Sequence, residues 1–164
     1  MSTTAFACLA LCIGIVAGLR ALTAPMAIAW AARVGWIDVR HTWAAFLAHP
    51  VTPWIFTALA IGELVNDQNP KAPARTAPPS FVFRLVSGGF CGAALAASGG
   101  RSLVVGIFLG ALGAAIGTLG GYHARVRLVR ALHVPDSAIA LPEDLIAVGG
   151  AFLIAAFFRA AVIR

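Results

Sequence analysis

Residues 102–121 read SLVVGIFLGALGAAIGTLGG, twenty consecutive positions without a charge, bounded by Arg101 and Tyr122. As a helix, such a stretch is about 30 Å long, the thickness of bilayer hydrocarbon. Its glycines are Gly106, Gly110, Gly113, Gly117, Gly120 and Gly121. The spacing of four, three, four, three places all of them except Gly121 on one helix face. In water this glycine density would weaken a helix. In lipid, glycines on one face let another backbone approach closely, and such packing drives helix association. The stretch therefore reads as a membrane-crossing helix with a packing face, filled by another helix of the chain or by a second copy in a homodimer. A pore- or substrate-lining face is the alternative.

The composition of the whole chain agrees. Of 164 residues, 60% are hydrophobic, a further 17 are glycine and only 11% are charged. A soluble domain carries about 25% charged residues, and twelve basic plus six acidic side chains could not cover a globule of this size. The chain reads as a single integral-membrane domain over residues 1–164, with the lipid bilayer as its main partner. The net charge of +6 does not point to nucleic acid, because the basic residues are scattered at the edges of apolar runs. Cys8, Cys12 and Cys91 lie in apolar runs with no metal-site spacing and read as small buried hydrophobes.

Further crossings follow from the same pattern. Residues 4–19 precede the first charge, Arg20, and lack the basic start of a signal peptide. Residues 21–35 are apolar but interrupted by Pro25 and Arg33, which suits a broken or re-entrant half-helix better than a full span. Trp30, Trp36, Trp43 and Trp54 cluster as an interfacial belt would, and residues 41–49 suit a short turn of helix before Pro50. Residues 51–65 read as the next crossing. Pro70, Pro73, Pro78 and Pro79 then favour an extended loop. Residues 81–98 and about 143–158 supply two more spans. Pro142-Glu143-Asp144 has the form of a helix start, with a proline in the first turn and acids near the positive end of the dipole. The expected fold is all-α and polytopic, with five transmembrane helices plus the broken segment, or six if that segment crosses. Ile13-Gly14-x-x-x-Gly18 and Ile116-Gly117-x-x-x-Gly121 align as a weak inverted repeat.

Five crossings divide the basic residues six against six and give no orientation; Arg20 then lies across the membrane from Glu63. Six crossings bring Arg20 over. Either way Glu63, Asp67, Glu143, Asp144, Lys71, Arg75, Arg84 and Arg127 share one side, with five of the six acidic residues, Asp136 among them. Carboxylates near lipid are costly unless paired or wetted. Glu63, within an apolar helix, is the least explicable by local structure, and Arg84 is its first candidate partner, Arg127 its second. Glu63, Asp67, Arg84, Glu143, Asp144 and Arg20 are the candidate substrate or ion pathway. Asn66 and Asp67 add oxygens of the kind a hard cation takes, so a metal ligand set is left open. Lys71, Arg75, Arg127 and Arg130 are candidate contacts for an anionic head group; His123, Arg127 and Arg130 share a helix face at i, i+4 and i+7. No catalytic constellation and no cofactor-binding motif is present, so no cofactor is expected and an enzyme is the less favoured class.

Several strings together carry a family resemblance. They are Gly18-Leu19-Arg20 with Pro25; Gly62-Glu63-Leu64-Val65 followed by Asp67, Pro70-Lys71, Pro73 and Arg75-Thr76-Ala77-Pro78-Pro79; Ser87-Gly88 with Cys91-Gly92-Ala93; Gly120-Gly121-Tyr122; and Pro142-Glu143-Asp144 before Gly149-Gly150. Over nearly the whole chain this resembles the bacterial integral-membrane proteins of domain-of-unknown-function family 4126. The resemblance implies a small polytopic protein of the bacterial inner membrane and carries no activity with it. From the residues, the leading expectation is a small transporter or channel for an ion or small solute. A flippase-like protein handling lipid phosphate and a non-catalytic membrane assembly partner are the alternatives.

Overall fold

The computed structural model describes residues 1–67, 76–132 and 136–163, and among them the chain is helical with no strand. Six α-helices follow in order: α1 Thr3–Leu19, α2 Thr23–Arg33, α3 Thr52–Asp67, α4 Pro78–Ser98, α5 Leu103–Leu132 and α6 Asp136–Ile163, with a short 3₁₀ turn at Ala45–Ala48. Three of them (α4, α5, and α6 from Ile139) are long and apolar enough to cross a membrane, and α1 is a shorter apolar helix. Large apolar side chains such as Trp54, Val104, Phe108, Leu145 and Phe157 lie on exposed faces. That is costly in water and natural against lipid.

Glycine contacts set the bundle. A methyl on Gly14 would strike the Gly110 backbone, and one on Gly18 would strike Ala114 and Thr118, so α1 and α5 run parallel at backbone contact. Gly88 meets Gly110 and Gly92 meets Gly106, which makes α4 antiparallel to α5 on its other side. At one end of the bundle Gly99 lies near Met1 and Phe158; at the other, Gly121 lies near Leu19 and Glu143, so α6 runs antiparallel to α1. The parallel α1 and α5 overturn the inverted repeat, which needs its two leading helices to point in opposite directions.

The glycine face is thus filled within the chain. Gly106 and Gly110 pack against α4, and Gly113 and Gly117 against Leu11, Gly14 and Ile15 of α1. At these four positions the packing face is covered by α1 and α4 of the same chain. Gly120 does not belong to it: a methyl there would meet no other element within 4 Å among the described residues, whereas one on Gly121 would strike Leu19. The reason is that α1 ends at Leu19, so the seam has no opposing backbone beyond that level.

After Leu19 the chain breaks and reverses. α2 runs back along the bundle for eleven residues, about 16 Å, and α3 returns antiparallel to it. Their pairing is fixed by Trp30, whose Nε1 donates to Thr57 Oγ1 at 3.0 Å and whose ring meets Trp54 edge-on at 5.0 Å. Trp43 and Phe46 of the connection rest on Phe90 of α4. The half-helix of residues 21–35 is therefore α2, and α2 with α3 forms one out-and-back arm. This arm returns the chain to the end it left, so Arg20 and Glu63 lie at the same end of the bundle, not at opposite ends.

Two local readings also change. α6 begins at Asp136 and carries Pro142 inside it, so Glu143 and Asp144 lie well past the first turn and do not cap it. The helix tolerates the proline at the loss of one backbone hydrogen bond near its start. Of the cysteines only Cys91 is buried; Cys8 and Cys12 lie one turn apart on an exposed face of α1.

Candidate functional site

The break between α1 and α2 leaves backbone groups without helical partners, and polar side chains from three other helices meet them. On the α1 side, Arg84 Nη1 donates to the Gly18 carbonyl at 3.0 Å and to the Leu19 carbonyl at 2.8 Å. Thr118 Oγ1 has two acceptors for its one proton, the Ala114 carbonyl of its own helix at 2.8 Å and the Gly18 carbonyl at 3.2 Å. Ser87, one turn beyond Arg84, donates its hydroxyl to the Ala21 carbonyl. On the α2 side, the two oxygens of Glu63 accept the N–H groups of Ala21 and Leu22, each at 2.8 Å. Electrostatics favours both arrangements, since a cation sits at the negative end of α1 and a carboxylate at the positive end of α2. Pro25 falls in the first turn of α2, where its missing N–H has no helical partner to lose.

Arg20 occupies the break itself. It is 1% exposed and lies between two helices that supply carboxylates. Its Nε donates to Asp144 Oδ1 of α6 at 2.6 Å, and its Nη1 contacts Asp67 Oδ2 of α3. Arg84, 3% exposed, shares one of these acids, with Nη2 3.9 Å from Asp67 Oδ2 and 3.5 Å from Glu63 Oε1. Asp67 thus stands between both guanidinium groups. A neighbouring pair joins α5 to α6, with Arg125 Nη1 3.4 Å from Glu143 Oε2.

A cavity of about 330 Å³ opens beside this network between α3 and α4. Ala21, Leu22, Gly62, Glu63, Asn66, Asp67, Ser80, Phe83 and Arg84 line it, so one wall is the helix break and another the shared carboxylates.

Of the residues singled out in the sequence, Glu63, Asp67, Arg84, Asp144 and Arg20 come together. Glu143 lies beside them and pairs with Arg125. Arg127 is exposed on the α5 extension, with Arg130, and takes no part. Lys71 and Arg75 lie outside the described residues. Three contributors went unread: Ser87, Thr118 and Arg125. Ser87 follows Arg84 at i+3 and so shares its face, and Thr118 interrupts the glycine seam with a hydroxyl; both signals were visible in the spacing. Arg125 carried none, since its partner is eighteen positions away on another helix. No group of three or more metal-ligating side chains in metal-binding arrangement occurs among the described residues. No family model, curated protein or solved structure matches the chain.

Proposed function

We propose that the chain is a small membrane transporter or channel for an ion or small solute; its resemblance to family 4126 adds the bacterial inner membrane to this reading but no activity. One observation carries the reading: a half-helix, α2, that turns back from the end of α1, with the adjoining ends of the two held by Glu63 and Arg84 beside a charged cavity. Half-helix ends with freed backbone groups build substrate and ion sites in transporters, and re-entrant segments are tolerated at membrane depth where they line a cavity. A break with charged lining is costly in lipid unless it serves a path or a partner. The arginines at the break are engaged by carboxylates and carbonyls, which favours the solute path over the lipid-phosphate reading at this site.

The membrane arrangement that goes with this proposal is testable by labelling. In a chain lacking Cys8, Cys12 and Cys91, Thr76→Cys and Ala131→Cys react with an impermeant thiol reagent from the same side, and Ser102→Cys reacts from the other. Opposite labelling of the first two would break the arrangement.

For function, purified protein in vesicles carries Na⁺, K⁺ or Cl⁻ down an imposed gradient faster than protein-free vesicles. Asp67→Asn lowers the flux at least about tenfold, as loss of a charge-assisted contact of ~1.5–3 kcal/mol implies. Asp38→Asn, on an exposed loop, leaves it unchanged. Wild-type flux equal to that of empty vesicles for all three ions would remove the ion-transport reading.

A further inference from the structure

α5 continues past the level at which the bundle closes. Gly121 is its last glycine against α1, and the helix runs on to Leu132. Along this extension the basic residues are sorted by direction. Arg125 turns inward to Glu143 and is largely buried. His123, Arg127 and Arg130, at i, i+4 and i+7, lie on the opposite side and are all exposed. Among the described residues no carboxylate lies within ion-pair distance of Arg127 or Arg130.

Depth along the helix says what these side chains meet. If residues 102–121 occupy the hydrocarbon, Tyr122 marks its edge, as interfacial aromatics do. Its ring is partly exposed and packs edge-on against His123 at 5.4 Å. His123, Arg127 and Arg130 then rise roughly 2 to 12 Å above that edge, spanning a headgroup layer about 5–8 Å thick and its aqueous margin. Phosphate esters are the anions present at that depth in every membrane, and a guanidinium binds phosphate through two parallel hydrogen bonds.

We infer that His123, Arg127 and Arg130 form a docking surface for the phosphate headgroups of anionic lipids in the leaflet at the polar end of the bundle. The surface is separate from the α1–α2 break and does not depend on what crosses there. It is a stripe along the membrane normal, one helix wide, which suits individual headgroups stacked against the helix. Arg125 anchors the same helix to α6 from behind, so the stripe is held facing outward.

The test uses the full-length protein in a mild non-ionic detergent with equimolar phosphatidylglycerol and phosphatidylcholine of matched chains, with bound lipid read by native mass spectrometry. The wild type retains phosphatidylglycerol preferentially, and the preference falls as salt rises. Each arginine at an anionic surface contributes roughly fivefold, so the paired variant Arg127→Gln with Arg130→Gln loses about 25-fold of the preference. Arg127→Lys with Arg130→Lys keeps most of it. Arg33→Gln with Arg40→Gln, exposed elsewhere, keeps all of it. Equal retention of the two lipids by the wild type would overturn the inference. So would an unchanged preference in the paired glutamine variant, or an equal loss in the Arg33 and Arg40 control.

Discussion

Arg20→Gln is expected to destabilise the protein by about 3–5 kcal/mol, because it removes the cation that, among the described residues, pairs with both Asp67 and Asp144. The guanidinium is 1% exposed, so water cannot replace it without opening the junction of α1, α3 and α6. What remains is Asp144 without its guanidinium and Asp67 with the more distant Arg84, whose other nitrogen is committed to the α1 carbonyls, while Glu63 is committed to the α2 backbone. Melting followed by tryptophan fluorescence in detergent should fall by about 10 °C or more. A compensated variant separates lost charge balance from lost packing. Arg20→Met combined with Asp67→Asn and Asp144→Asn removes the cation and both anions together, and neutral replacement of a whole buried network is far less damaging than removal of one member. The triple variant should therefore melt above the single one. A single variant that melts with the wild type would mean the site is wetted throughout and the ion pairs contribute nothing.

How far such a network can be read from sequence depends on the separation of its members. Glu63 and Arg84 were legible as a candidate pair because each is an ionisable residue inside an apolar helix with few cations or anions to choose from. The centre of the site was harder. Arg20 reaches Asp67 and Asp144 across 47 and 124 positions, and its side of the membrane depends on which way residues 21–35 run. Local apolarity cannot decide that, since a half-helix that returns and a helix that crosses have the same composition. Only the contacts of α2 with α3, such as Trp30 with Thr57, decide it. Pro142 shows the opposite error. A proline followed by two acids satisfies every local rule for a helix start, yet the helix begins at Asp136, and Glu143 is used to hold Arg125 instead. A capping preference worth about 0.3–1 kcal/mol at an exposed helix end does not decide where a helix of this length begins.

The bundle itself rests on glycine, and there the expected effect of substitution is largest. Gly110 is the point where α1, α4 and α5 come closest: Gly14 approaches it from one side, Gly88 and Gly92 from the other. A methyl group on Gly110 would overlap the Gly88 carbonyl oxygen, lie 2.8 Å from the Gly88 carbonyl carbon and lie 3.2 Å from Gly92 Cα. These are backbone atoms of a packed helix and cannot rotate away, so relief requires α4 to move as a body and lose its contacts along the seam. Gly110→Ala should destabilise by about 1–3 kcal/mol despite the better helix propensity of alanine, which favours it by about 1 kcal/mol. Gly110→Leu should yield no folded protein by size-exclusion chromatography. Gly120 lies ten residues further along the same helix, and a methyl there would meet no other element within 4 Å among the described residues. Gly120→Ala should therefore melt at or slightly above the wild type, with only the propensity gain acting. The contrast between two glycines of one helix separates close packing from any general intolerance of substitution. A normally folded Gly110→Leu protein would mean that α4 and α5 do not meet at backbone distance. A Gly120→Ala protein with altered oligomer size would mean that this end of the helix contacts a second copy.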